Sequence, residues 1–146
     1  MKDRELSILL TGDHQIQKLN YLYRKKNRPT DVLAFSQHEG ELGDRSDRLL
    51  GDVVVSIPTA RRQAEAGRRA LASELTALIA HGLLHLVGWD HETPAKDRRM
   101  RSETDRLCAA AESAARASRV VRRVKGQIGT RANGDSIGRR ASRTAR

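Results

Sequence analysis

Cysteine is nearly absent from this 146-residue chain, in which Cys108 stands alone. One thiol closes no intramolecular disulfide and cannot supply a zinc site that needs two or more thiolates. Any bound metal must therefore lean on histidine or carboxylate. Long apolar runs are missing as well. No stretch of about 18 apolar residues is available to span a bilayer as a helix, and the opening Met1-Lys-Asp-Arg-Glu5 lacks the apolar core of a signal peptide. A reducing, cytoplasmic setting is the default expectation, with no membrane partner. The length argues against two independent cores, because each half would approach the size at which burial barely offsets chain entropy. One domain with one site is expected.

Acidic residues are scarce at one end only. The net charge is +10, yet from Arg116 to Arg146 ten Lys/Arg face a single acid, Asp135, while residues 1–115 hold 18 basic and 17 acidic side chains. The expected organisation is a nearly neutral folded domain over 1–115 and a basic tail over 116–146. Within that tail, Lys125-Gly-Gln-Ile-Gly-Thr-Arg-Ala-Asn-Gly-Asp-Ser-Ile-Gly-Arg-Arg140 has too few apolar residues to offset the entropy of ordering, so disorder is expected. A basic tail favours polyanions through counterion release and chooses among them poorly.

Along the domain, Glu5 to Leu10 is a short, largely apolar run ending at Thr11-Gly12-Asp13, which reads as a buried strand entering a turn. Ile16, Leu19, Tyr21 and Leu22 follow at helical spacing, with Asp13 placed to cap the helix. A basic loop from Arg24 to Asp31 leads to a strand over Val32–Phe35. A polar loop over 40–48 leads to a third strand over Leu49–Ile57, and Pro58 suits the first turn of a helix that runs towards Gly67. From Leu71 to Val87, apolar residues recur with a helical period, and Gly88 is placed to end this central helix. A last helix is expected from about Pro94 to Arg116, with Leu107 and Cys108 among its few apolar contacts. The fold class is α+β, in mixed α/β layers: a small sheet of three to four strands packed with helices, the central helix carrying an HxxxH motif.

That motif is the informative feature. His81-Gly-Leu-Leu-His-Leu-Val-Gly-Trp-Asp-His91 gathers three of the five histidines within eleven residues. A four-residue step on a helix turns about 400° and rises about 6 Å, so His81 and His85 stack on one face. Gly88 can take a left-handed conformation that returns His91 towards the same point. Three neutral imidazoles make a zinc site with one position left open for chemistry. Zinc peptidases of the metzincin type share the HxxxHxxGxxH spacing but carry a catalytic Glu directly after the first His, where this chain has Gly82. His14 and His38 lie outside the cluster and are expected on the surface or in loops. Asp90 and Glu92, which flank His91, could take a proton or cap a turn; Asp52 could support the site from behind; Glu74 is expected to be structural. Arg24, Lys25, Lys26 and Arg28 form a basic loop suited to phosphate contact. Trp89, the sole tryptophan, could stack a base but is expected to pack as a plug.

Beyond the histidines, the sequence resembles the YbeY-type endoribonucleases, bacterial proteins implicated in ribosomal RNA maturation. His81 to His91 is similar to the family's HGxLHLxGxDH signature at every fixed position. Leu19-Asn20 with Tyr23-Arg24, Arg28-Pro-Thr-Asp-Val-Leu-Ala-Phe35 and Leu50-Gly-Asp-Val-Val-Val-Ser56 resemble further family patterns, so the likeness runs from about Leu6 to Cys108. The resemblance implies that His81, His85 and His91 are both metal ligands and catalytic residues, holding one Zn2+ per chain. It implies a single-strand-specific endoribonuclease acting in small-subunit (16S) rRNA maturation and ribosome quality control, with the ribosome or small ribosomal subunit proteins as partners. A zinc-braced assembly factor without catalysis is the alternative, and a metallopeptidase a lesser one. Ile57 stands where some members carry an RNA-contacting arginine; the nearest following arginines are Arg61 and Arg62. Relatives often have a strand and helix before the position of Glu5, for which this chain has no room, and its basic tail exceeds the family pattern.

Overall fold

The computed structural model describes residues 3–37 and 49–132, with side chains through Arg119. Three strands, β1 (Glu5–Thr11), β2 (Val32–Ser36) and β3 (Leu49–Ser56), accompany four helices: α1 (Asp13–Arg24), α2 (Ile57–Ala66), α3 (Leu71–Leu86) and α4 (Pro94–Ala132). The strands form one sheet in the order β1-β3-β2. β3 is parallel to β1, from Leu6↔Gly51 to Thr11↔Ser56, and antiparallel to β2, from Val32↔Val55 to Ser36↔Gly51. This is the α+β arrangement expected from the sequence.

The β-branched run of β3 explains its central place, because a strand covered on both faces needs apolar side chains at successive positions. Val53 and Val55 pack with Ala60 of α2 and with Leu78 and Leu86 of α3, while Val54 packs with Ile16 of α1 and Leu33 of β2. Side-chain alternation therefore puts α1 on one face of the sheet and α2 with α3 on the other. β1 differs from its expected burial. Among the described residues it has a neighbour on one side only, and Ile8, Leu9 and Leu10 are 46%, 49% and 46% exposed. Apolar composition alone does not say whether a strand lies inside a sheet or at its edge.

Helix starts and ends follow local chemistry with two differences. Ser56 ends β3 and caps α2, its hydroxyl accepting from Thr59 N–H, so Ile57 is helical and Pro58 sits in the first turn. Asp13 does not cap α1. Gly12 is the cap residue, and the Asp13 carboxylate instead accepts from the hydroxyls of Ser56 and Thr59, both at 2.6 Å, and from Arg62 at 2.8 Å. These bonds fasten the start of α1 to the start of α2. α4 begins behind Thr93, whose hydroxyl accepts from Lys96 N–H, and Met100 on it is buried.

α4 runs on to Ala132, past the end expected at Arg116. Alanine and arginine are strong helix formers and no proline intervenes, so local propensity favours continuing the helix. The helix thus covers residues 125–132, the first part of the stretch for which disorder is expected. The chain divides into a compact unit over 1–109 and a second over 110–146, whose described part is the remainder of α4. Residues 133–146, the loop expected over 40–48 and His38 lie outside the described residues.

Candidate metal centre

The site is built on α3, which lies close over the sheet because of Gly82. A β-carbon on Gly82 would stand 2.8 Å and 3.1 Å from the two γ-carbons of Val53 and 3.3 Å from Cγ2 of Val32. Any side chain there would force Val53 to shift, including the carboxylate that a metzincin places after its first histidine. Gly82 brings the backbone against the sheet, and the adjoining face of the same turns carries His81 and His85, both half-buried.

The end of α3 is closed by a Schellman motif. Trp89 N–H donates to Leu84 C=O at 3.0 Å and Gly88 N–H to His85 C=O at 3.1 Å, around Gly88 at φ +94°. A residue with a β-carbon is strained in this left-handed region, so glycine is needed at 88. The reversal returns the chain along the helix end and places His91 beside the other two histidines, as the spacing predicts. The three ring centroids lie 4.7, 5.3 and 5.9 Å apart, and one ligand nitrogen from each can be chosen such that all lie within 4.8 Å of one another.

The donor atoms fit a metal ion. Zn–N bonds of ~2.0–2.1 Å in a tetrahedron imply nitrogen separations of about 3.3 Å. Nε2 of His81 and Nε2 of His85 are 3.1 Å apart. The other ring nitrogen of His85, Nδ1, lies 3.1 Å from the carbonyl of Trp89. A carbonyl only accepts, so Nδ1 carries the hydrogen and Nε2 is left with its lone pair directed into the cluster. This is the outer hydrogen bond that orients metal-binding histidines. Burial, followed by the neighbouring His85 and His91 charges, pushes His81 below its ordinary value of 6.5. His85 moves the same way through burial and then His91, with Arg24 also contributing. Both therefore favour the neutral, ligating form near neutral pH.

The loop that carries His91 is braced from both sides. Asp90 accepts from Glu92 N–H at 3.2 Å through Oδ1 and from Lys96 Nζ at 2.8 Å through Oδ2. The Lys96 and Glu92 hydrogen bonds hold its carboxyl below the usual range. Asp90 is thus a turn cap and loop anchor, one of the two roles its position allowed. No hydrogen bond or ion pair of the Glu92 carboxylate is found among the described residues.

Other candidates separate into near and far. Asp52 alternates with Val53 onto the face that holds Val54 and α1, away from α3, and accepts from Gln37 Nε2 at 3.0 Å. It does not support the histidines as expected. Glu74 pairs with Arg69 at 3.3 Å, in keeping with a structural role. His14 is exposed on α1, and Arg62 is engaged by Asp13. The basic loop is held in place by Asn20, buried at 3% exposure, whose Nδ2 donates to the carbonyl of Arg28 at 2.9 Å. Arg24, at the end of α1, stands near enough for its charge to act on His85. Asp31 was not singled out by sequence. Its charge acts on His81 in the direction opposite to burial, and its carboxylate accepts from Val32 N–H at 2.8 Å and from Gln63 at 3.2 Å. Its place within the Arg28-Pro-Thr-Asp-Val stretch that resembles a family pattern was the available signal.

Comparison with known proteins gives a consistent answer. The sequence model of the endoribonuclease YbeY family matches residues 1–112. The chain is 50% identical over 108 residues to the endoribonuclease YbeY of Anaeromyxobacter sp., covering 74% of this chain and 55% of that protein. It is 43% identical over 112 residues to that of Geobacter metallireducens, covering 75% of each. The Synechococcus sp. protein of the same name is 47% identical over 111 residues, covering 73% of this chain and 68% of its own length. The chain thus spans between about half and three quarters of these curated relatives. A solved structure from Thermotoga maritima overlaps with a TM-score of 0.48 at 24% identity, over 76% of this chain and 73% of that one. Among the described residues no helix is long and apolar enough to cross a membrane. With most of its length matched by the family's sequence model and its histidines gathered at one point, the chain belongs to the endoribonuclease YbeY family.

Proposed function

We propose that this chain is a zinc-dependent endoribonuclease specific for single strands, acting in the cytoplasm on small-subunit (16S) ribosomal RNA during its maturation and in ribosome quality control. Its partners on this reading are single-stranded rRNA and the ribosome or small ribosomal subunit proteins. The observation that carries the proposal is the convergence of His81, His85 and His91, in a chain whose relatives are named endoribonucleases. Three imidazoles with no thiolate or carboxylate in the cluster suit one zinc ion with a coordination position left open, where a closed structural site would add a fourth protein ligand.

When bound, zinc supplies Lewis-acid polarisation of a phosphodiester oxygen and acidification of a water. The remaining work falls to the chain. His81 and His85 fix two ligand positions from one rigid helix, the Trp89 carbonyl orients His85, and the Asp90–Lys96 pair holds the loop that presents His91. Asp90, with both oxygens engaged, is poorly suited to accept a proton. Glu92 is the flanking carboxylate available for that role. Arg24, Lys25, Lys26 and Arg28 offer positive charge for the RNA backbone. A peptidase acting as metzincins do is disfavoured, because a carboxylate at position 82 would collide with Val53.

The test uses the full chain purified without chelator, with bound zinc measured and single-stranded ribosomal RNA as substrate. Zinc near one per chain, with cleavage lost both in His85→Ala and after chelation, is the expected result. Stoichiometric zinc with no cleavage would overturn the nuclease reading in favour of an assembly factor that zinc only braces.

A further inference from the structure

Beside the histidines, between the end of α3 and the first turns of α4, is a cleft of about 270 Å³ lined by Val87, Gly88, Trp89, Asp90, Lys96 and Arg99. It contains the sole tryptophan of the chain. Trp89, expected to pack as a plug at the helix end, is partly buried and lines this open cleft. Its backbone is fixed on both sides, by N–H donation to Leu84 and by the carbonyl that meets His85. The indole thus springs from a fixed backbone position two residues before His91. The guanidinium carbon of Arg99 stands 5.9 Å from the indole centroid.

An aromatic face beside a guanidinium is the pairing that single-stranded nucleic acid sites use, the ring stacking a base and the cation holding a phosphate. The charges agree. Lys96 is paired with Asp90 at 2.8 Å, whereas Arg99 has no carboxylate partner among the described residues, so the lining has one net positive charge. A phosphodiester carries one negative charge. The size also agrees, since about 270 Å³ falls just under the ~300 Å³ at which pockets for larger ligands begin. A single base fits that scale.

We propose that this cleft is a nucleotide subsite: Trp89 stacks one base of single-stranded RNA and Arg99 holds its phosphate, which positions the neighbouring phosphodiester at the histidine cluster. This rests on the ribonuclease reading for the identity of the bound chain, and its test is separable from cleavage. Trp89 and Arg99 act by binding and positioning, and neither exchanges a proton or electron with substrate.

Because Trp89 is the only tryptophan, its fluorescence reports the site directly. The full chain is titrated with adenosine 5′-monophosphate, ribose 5-phosphate and inorganic phosphate. The expected result is a saturable change in emission with the nucleotide, at an affinity about ten-fold or more above that of the two base-free phosphates, as loss of one stacked base implies. Arg99→Ala weakens nucleotide binding and Arg99→Lys restores part of it. With a labelled single-stranded oligonucleotide, Trp89→Leu raises KM about ten-fold, and a zinc measurement on the variant separates this from collapse of the metal centre. Arg99 is exposed on α4, so its variants keep the test valid even if Trp89→Leu fails to fold. Equal responses to nucleotide and to inorganic phosphate, or nucleotide affinity unchanged in Arg99→Ala, overturn the subsite. Base-dependent binding in a protein that cuts no RNA upholds the subsite and removes the nuclease reading; RNA cleavage with a base-independent response does the reverse.

Discussion

Gly82→Ala tests how the site is seated on the sheet, because the sign of its effect opposes the ordinary expectation. In an exposed helix interior this change stabilises by about 1 kcal/mol, since alanine is the better helix former. At position 82 the new methyl stands 2.8 Å from Cγ1 and 3.1 Å from Cγ2 of Val53. Val53 is fully buried in the central strand between β1 and β2 and has little freedom to yield. With Val53 so confined the cost lies in the upper part of the ~1–3 kcal/mol range for overpacking, about 2–3 kcal/mol, which outweighs the propensity gain of about 1 kcal/mol and leaves a net destabilisation of about 1–2 kcal/mol. Urea unfolding of the metal-free protein reads this directly: with an m-value of ~1–3 kcal/mol/M, a net 1 kcal/mol moves the midpoint down by roughly 0.3–1 M. Because the displaced turn carries His81 and His85 while His91 sits on the following loop, zinc affinity falls as well. Val53→Ala in the same protein removes both colliding methyls, so the double variant is more stable than the two single effects added together. Stability equal to or above that of the parent for Gly82→Ala alone would refute the close seating of α3.

Acid unfolding should show two windows. His81 and His85 have folded-state values below 6.5, so the unfolded chain binds more protons; their contribution is present above 6.5 and fades as pH falls below it. Metal-free protein therefore begins to lose stability below about pH 6.5, and a calorimetric pH series on His85→Ala shows a smaller loss there. Asp13, held down to about 2 from 3.8 by Ser56, then Thr59 and Arg62, contributes above 3.8 and loses that contribution as pH falls towards 2. Its full value is at most ~2.4 kcal/mol at ~1.36 kcal/mol per unit, reduced to about 1 kcal/mol because Arg62 is 60% exposed and screened; Asp13→Ala removes this second window. Replacing Arg24, Lys25, Lys26 and Arg28 by glutamine flattens the plot of log affinity against log salt for single-stranded RNA by up to about 3, at ~0.7 per phosphate contact. An unchanged slope takes that loop out of the RNA site.

Most elements were legible because their causes are local. Apolar period marks α1 and α3, Pro58 marks the first turn of α2, and Gly88 marks the end of α3. The histidine cluster was legible for the same reason: all three residues fall in eleven positions, where helix rise and one left-handed glycine determine the geometry. Features joining distant positions were not. Asp13 looked like a cap for its own helix, and its actual partners, Ser56 and Thr59, lie 43 and 46 residues on. β1 looked buried because strand order, which decides whether an apolar strand has one neighbour or two, leaves no mark within the strand itself.

Trp89 and Asp52 show where that boundary falls inside the site. Asp52 is near the histidines in no local sense; its side is decided by the alternation of β3, and once Val53 faces α3 an adjacent residue must face α1. That step could have been taken from sequence had the face of a single β3 residue been known. The case of Trp89 differs. Its backbone is determined locally by the turn at Gly88, but the use of its side chain depends on where α4 returns, because Lys96 and Arg99 supply the far wall of the cleft. A plug and a stacking platform have the same sequence around the tryptophan. What separates them is the charge brought opposite, and here that charge is a guanidinium 5.9 Å from the ring, with its neighbour Lys96 already neutralised by Asp90.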